Sequence, residues 1–372
     1  MNFFERFIYF FLFVVSKHTK LSFLEKILNY FENRMIRKYM NQTELLPVEI
    51  PTIDANDLTD EKFIELSNNY RDPVLIKGFM KDTDAVIKWN LDYFCNIIGD
   101  FKMNTIKYTD KLELKNMSFT DFAKKIDTDD IYINNNHTIL AEFPQLFDDI
   151  KPKFELLLKT LKSCNLYSVH IANMFIGYNN DSKKCTGSSM HCGGSGNFFC
   201  MLQGRKHWTL IHPKYSCLLK ARVAETGIHA QTLFDMGDID IDKTPSVFKY
   251  LPRYEVVMEP GDVLYNSPWW WHRIRNYDGL SIGMAIRNNK VTKLNLLNNF
   301  TFTMSGYKYL VYNTLVIELY ERFFGGNKNF TASKSENKKG NVLYEIEKLV
   351  KKYPKSLDLE NILSLDVEKK FQ

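Results

Sequence analysis

A chain of 372 residues can form one large domain with appendages, or two domains. With 45% apolar and 25% charged residues it has the balance of a globular protein, which excludes a disordered or fibrous class. A formal charge of +5, with Lys and Arg interspersed among Asp and Glu, argues against a nucleic-acid surface.

The first forty residues read as helices. "FIYFFLFVV", Phe7 to Val15, carries no charge, but it is far shorter than the about 20 residues that span a bilayer, and Glu5 and Arg6 close it upstream. "SKHTK" follows in place of the small-residue cleavage site of a signal peptide. "LSFLEKILNYFENRMIRKYM" then sets Leu24, Ile27, Leu28 and Phe31 at helical spacing. Between Lys17 and Lys38 there are six Lys or Arg against two Glu. An apolar run followed by a basic amphipathic helix suits a membrane surface. The same residues fit an arm packed on the chain's own core or on a partner copy.

"NQTELLPVEIPTIDANDLT" reads as a linker, marked by Pro47, Pro51 and loss of periodicity. "DEKFIELSNNY" predicts a helix and "DPVLIKGFM" a short buried strand. Helical and mixed segments run on to about residue 160, with "YINNNHTIL" strand-like among them. From Leu166 to Asn289 short β-rich runs bounded by Gly, Pro or Asn follow one another: "LYSVHIANMFIG", "GNFFCMLQG", "KHWTLIHP", "YEVVMEP", "DVLYNSP" and "LSIGMAIRN". Strands at this spacing predict an antiparallel sandwich or barrel. Pro260 to Asp262 is a turn between two of them. Beyond residue 290 the pattern is helical again, in "YKYLVYNTLVIELYERFF" and "NVLYEIEKLVKKY". The six cysteines, Cys95, Cys164, Cys185, Cys192, Cys200 and Cys217, form no C-x-x-C pair. They fit neither a disulfide framework nor a structural zinc site and read as reduced thiols of an intracellular reducing compartment.

Two stretches carry the candidate chemistry. In "WWWHRIRN", strand alternation puts Trp270 and His272 on one face and Trp269 and Trp271 on the other. In "MHCGGSGNFF", His191 is followed two residues on by Gly193.

Together "SSMHCGGSGNFFCMLQGRKHWTLIHP" and "YEVVMEPGDVLYNSPWWWHRIRNYDGLSIGMAIRN" resemble the two halves of the JmjC/cupin oxygenase domain, and the hydroxylase-type branch of that family above all. "ANMFIG", "PVLIKGF" and "KWNLDYF" fit the same pattern. The resemblance covers roughly residues 45–290. It implies a mainly β core, a double-stranded β-helix or cupin jelly roll with flanking helices. Residues 1–44 then form a helical arm, 45–290 the domain, and 291–372 a C-terminal helical region that could join two copies in a homodimer. Iron(II) and 2-oxoglutarate are the implied cofactors. His191 and His272 match the two metal-binding histidines, which leave positions open for cosubstrate and oxygen. Lys206, fifteen residues after His191, matches the lysine that pairs with the distal carboxylate of 2-oxoglutarate. Ser188 and Asn197 match further residues of that pocket, and Tyr132 a tyrosine that closes it.

Gly193 stands where the family has its metal-binding aspartate. Residues 191 and 193 of one strand share a face, so the glycine leaves a coordination position vacant. Three readings stay open. An active enzyme could work with two histidines, either as a hydroxylase or as a halogenase that admits chloride or bromide at the vacancy. The domain could be an inactive binding module, because losing the only anionic ligand weakens a divalent-metal site. A carboxylate could come from elsewhere, with Asp235, Asp238, Asp240 and Asp242 as the acids of "FDMGDIDID". Cys192, if a bulge turned it inward, and His170 are further inner-face candidates. The absence of a histone-reader module argues against a chromatin demethylase, and the substrate stays open between a protein side chain and a small molecule.

Overall fold

The computed structural model describes residues 1–108, 112–129, 131–136, 138–161, 173–179, 187–224, 229–233, 246–277, 279–288 and 299–305. His170, the four aspartates of "FDMGDIDID" and the helical stretches expected after residue 305 lie outside the described residues.

Fifteen strands among the described residues form two sheets. They are β1 (Thr52–Asp54), β2 (Val74–Lys77), β3 (Lys102–Tyr108), β4 (Leu112–Ser118), β5 (Ile131–Asn136), β6 (Asn173–Asn179), β7 (Gly187–Gly193), β8 (Gly196–Gln203), β9 (Lys206–Ile211), β10 (Ala221–Val223), β11 (His229–Thr232), β12 (Arg253–Met258), β13 (Val263–Asn266), β14 (Trp271–Asn276) and β15 (Gly279–Asn288). The larger sheet runs β1-β2-β13-β8-β15-β6-β5-β3-β4, the smaller β10-β11-β7-β14-β9-β12. This is the expected cupin jelly roll. The stretch read as a linker contributes β1, which pairs in parallel with β2. Its two prolines break helical periodicity, but Thr52 to Asp54 can still add an edge strand.

Period-2 alternation divides the apolar residues into three cores. On β8, Phe198, Cys200 and Leu202 face helices between residues 60 and 161, with Phe63, Phe94, Phe122 and Phe154 in the same cluster. Phe199 and Met201, on the opposite face, meet Trp208, Leu210, Met258 and Ile274 of the smaller sheet. That second cluster is the interior between the sheets. The outer face of the smaller sheet (Met190, Cys192, Ile211, Trp271) forms the third core.

The N-terminal arm covers that outer face. Helix α1 (Phe3–Thr19) starts on a capping box between Asn2 and Glu5, and α2 (Ser22–Met40) folds back against it. Tyr9, Phe13, Leu28, Met35 and Tyr39 pack into the third core. Arg222 of β10 donates to the buried Glu32 of α2 through both terminal guanidinium nitrogens, at 3.1 and 3.2 Å, and to Asn29 at 2.7 Å. A short helix, Phe300–Ser305, closes the same side, with Phe302 against Phe13, Trp269 and Trp271. Among the described residues no helix is long and apolar enough to cross a membrane.

Candidate active site

The inner face of the smaller sheet carries the histidines. β7 and β14 pair antiparallel with His191 opposite His272, which puts both side chains on one face. Their ring centres are 4.2 Å apart. Between this pair and the next, Ser188 opposite Ile274, the register shifts by one residue on β7. That bulge turns Ser188 onto the interior face, which simple alternation from His191 would have denied it. Cys192 stays on the outer face among apolar neighbours, where burial pushes its thiol well up.

Backbone carbonyls fix the tautomers of both histidines. Nδ1 of His191 lies 2.7 Å from the Ser189 carbonyl, and Nδ1 of His272 lies 2.9 Å from that of Trp270. A carbonyl only accepts, so each Nδ1 carries the proton and each Nε2 presents a bare lone pair. Asn266 stands 3.0 Å from the same His272 nitrogen, while its Oδ1 is buried without a partner. Exchanging the amide O and N would let that oxygen accept from Nδ1–H as well. Burial lowers the basicity of both rings, and Arg287 adds to the effect, so both stay neutral, as metal binding requires. Trp208 stacks on His272 at 5.6 Å. Trp269, with φ of +66°, is held by its backbone N–H donating to the Gly193 carbonyl at 2.6 Å.

Lys206 opens β9 on the same interior, directly opposite Asn276 of β14. Its ammonium is fully buried. It donates to Asn276 Oδ1, and to Ser281 Oγ at 3.1 Å, and lies 5.6 Å from the centre of the Tyr132 ring. No carboxylate reaches it among the described residues. Burial alone therefore drops its pKa to about 7. Glycines make room here: a Cβ on Gly177 would come within 2.5 Å of Asn276 Nδ2 and 2.6 Å of the Tyr132 ring, and one on Gly283 within 2.3 Å of Phe199. Asn197 pairs with Asn266 and Arg287 on the larger sheet, and its buried Oδ1 has no hydrogen-bond partner.

The structure thus brings His191, His272, Ser188, Asn197, Lys206 and Tyr132 to one interior, with Gly193 beside His191. Sequence reading missed Asn276, Ser281, Asn266, Arg287 and His229. Asn276 and Ser281 sit in "HRIRN" and "LSIG", where alternation marks the inner face, but only strand pairing shows that they meet Lys206. Among the described residues no group of three or more His, Cys, Asp or Glu side chains stands at metal-holding separation.

The donor chemistry fits the implied groups. Two bare imidazole nitrogens facing one space suit iron(II). A buried ammonium with neutral partners and, among the described residues, no counter-charge suits one carboxylate of a dianion.

Comparison with known proteins points the same way. The family described as a cupin-like domain matches residues 60–305, about two thirds of the chain. JmjC domain-containing protein A of Dictyostelium discoideum is 22% identical over 244 residues, 60% of this chain and 90% of that protein. The tRNA wybutosine-synthesizing protein 5 of Gallus gallus is 22% identical over 251 residues, 63% of this chain and 76% of that protein. An arginine-specific demethylase of Arabidopsis thaliana is 23% identical over 267 residues, 65% of this chain and 46% of that protein.

Proposed function

The chain belongs to the cupin-like, JmjC-containing family, whose members are in general iron(II)/2-oxoglutarate oxygenases or demethylases, and on that premise we propose that it is an iron(II)/2-oxoglutarate-dependent oxygenase that hydroxylates its substrate. The observation that carries this reading is Lys206. A fully buried ammonium that meets, among the described residues, only an amide, a hydroxyl and an aromatic ring is costly unless an anion completes it.

His191 and His272 would hold the metal through Nε2, and Lys206 with Ser281 would take the distal carboxylate of the cosubstrate. When bound, the two groups supply oxidation of a substrate C–H bond by dioxygen, with 2-oxoglutarate decarboxylated to succinate. The chain's own work is orientation and exclusion of water. The Ser189 and Trp270 carbonyls aim the imidazoles, and Trp208 and Phe199 wall the interior with apolar surface. Lys206→Met in the full chain should abolish 2-oxoglutarate binding in the presence of metal, measured by calorimetry. Unchanged affinity would remove the assignment.

A separate observation favours a membrane-surface role for the arm. One side of α1 and α2 packs on the sheet, while Phe4 (67% exposed), Phe7 (55%), Phe11 (55%), Phe23 (55%) and Tyr30 (64%) face outward. Lys20, Lys26, Arg34 and Arg37 are exposed on the same helical pair. Aromatic residues with interspersed cations suit the interface of an anionic bilayer. Deleting the arm would strip the third core, so substitution is the cleaner test. Phe7→Asp with Phe11→Asp should release the protein from phosphatidylserine vesicles in a sedimentation assay, and retention would refute the role.

A further inference from the structure

The acid missing at Gly193 has a neighbour across the ladder. β11 pairs antiparallel with β7, placing His229 directly opposite Gly193, Ala230 opposite Cys192 and Gln231 opposite His191. Directly opposed residues project from the same face. Ala230 lies with Cys192 in the outer core, so His229 projects inward with His191. Glycine offers no side chain above its own position, and the imidazole of His229 is the cross-strand group beside the space it leaves.

Three further facts bear on what His229 does there. Its ring centre is 5.8 Å from that of His191, with the planes tilted by 50°. Two imidazoles bound through nitrogen to one metal at about 2.1 Å place their ring centres about 5 Å apart. At 5.8 Å from His191 the ring stands just beyond that separation, in keeping with the absence of a three-residue metal group among the described residues, so the third ligand requires the His229 ring to close on the site when metal binds. Neither ring nitrogen of His229 hydrogen-bonds a described residue, whereas His191 and His272 each commit Nδ1 to a carbonyl. Finally, among the described residues no carboxylate contacts this group of histidines, and the nearby charged side chain is Arg287, which depresses the basicity of all three rings.

The geometry points to His229 as the third protein ligand, giving a three-histidine metal site in which a residue on β11 replaces the aspartate lost from β7. This inference rests on the oxygenase reading. It fills the position that a halide would otherwise take. It also changes the charge of the site: three neutral imidazoles leave the metal its full double charge, so an anionic cosubstrate becomes the main neutralising group. Imidazole-only sites follow the divalent series closely, so Ni(II), Cu(II) and Zn(II) compete with Fe(II).

The test is anaerobic titration of the full-length protein with Co(II), read by calorimetry and by the ligand-field absorbance of the metal, for wild type, His272→Ala, His229→Ala and the pair His229→Ala with Gly193→Asp. The expected result is a loss of about tenfold or more on His229→Ala, at least the size of an outer-shell loss, with a changed ligand-field spectrum, and recovery of affinity when Gly193→Asp is added. Binding that fails in His272→Ala but is unchanged in affinity and spectrum in His229→Ala would overturn the third ligand and leave the oxygenase reading standing. No Co(II) binding by folded wild-type protein would overturn both. X-ray absorption of the Co(II) complex supplies a check independent of affinity: three imidazoles in the first coordination sphere are expected, and two would contradict the inference.

Discussion

The two faces of the smaller sheet are built from the same strands and are physical opposites. On β14, Trp271 points outward into an apolar core and its indole N–H donates to Ser216 at 2.9 Å, while His272 points inward with one nitrogen left unshared. On β7, Cys192 points outward and His191 inward. The outer face is apolar, pairs Trp271 with Ser216 and Arg222 with Glu32, leaves the buried Tyr9 hydroxyl without a partner, and is closed by α1, α2 and the helix Phe300–Ser305. The inner face leaves charged and polar groups incomplete: an ammonium with no carboxylate among the described residues and, on the facing larger sheet, an Asn197 oxygen without a donor. One face holds the fold together; the other is completed only by something that binds.

Substitutions on the two faces should therefore separate binding from stability. His272→Ala carries the largest expected effect, loss of detectable metal binding with the thermal transition nearly retained; metal binding at wild-type affinity would break the comparison. Trp271→Ala should do the reverse. It empties a fully buried indole site and should cost about 3–5 kcal/mol in urea unfolding, with metal affinity of the folded fraction unchanged. Asn266→Leu removes the group behind His272 and should weaken metal binding about 10–100-fold with little change in unfolding.

Lys206→Met sharpens the contrast further, because on the inner face a substitution can stabilise. The folded pKa is near 7 against 10.5 for an unburied lysine. Between these values the unfolded chain holds a proton that the folded chain has released, so wild-type stability rises as pH climbs through that window. Below pH 7 both states are protonated and the full cost of burying the charge remains. Methionine removes that cost, on the order of several kcal/mol. It also takes one hydrogen bond each from Asn276 Oδ1 and Ser281 Oγ, a cost on the order of 1–3 kcal/mol. A net gain on the order of 1–2 kcal/mol at pH 6, shrinking toward pH 10, is expected in denaturant titrations. A net loss at pH 6 would mean that the lysine already has its counter-charge. The same shift predicts the smallest effect: at pH 8, 2-oxoglutarate binding should take up close to one proton, read from calorimetry in buffers of different ionisation enthalpy.

Alternation and turn residues were enough to read an antiparallel sandwich or barrel, to set Trp270 and His272 on one face and to set Cys192 opposite His191, while the jelly roll and the inward, metal-facing role of His272 came from the family resemblance. Ser188 shows where that reading stops. Its parity with Cys192 assigns it outward, and only the bulge on β7 reverses it. His229 shows a deeper limit. "GIHAQTLF" carries no signal of its own, and its meaning comes from the register that sets it against Gly193, thirty-six positions away in the chain. Ladder register between distant strands is a property of the packed sheets, invisible to local pattern.

The account stands most directly on one measurement: anaerobic absorbance of the full-length protein titrated with iron(II) and 2-oxoglutarate. It predicts a metal-to-ligand charge-transfer band in the visible that appears only with both components and is lost in His272→Ala and in Lys206→Met. No band in folded protein at millimolar cosubstrate would contradict it, and would mean that this interior keeps the shape of an oxygenase without its metal chemistry.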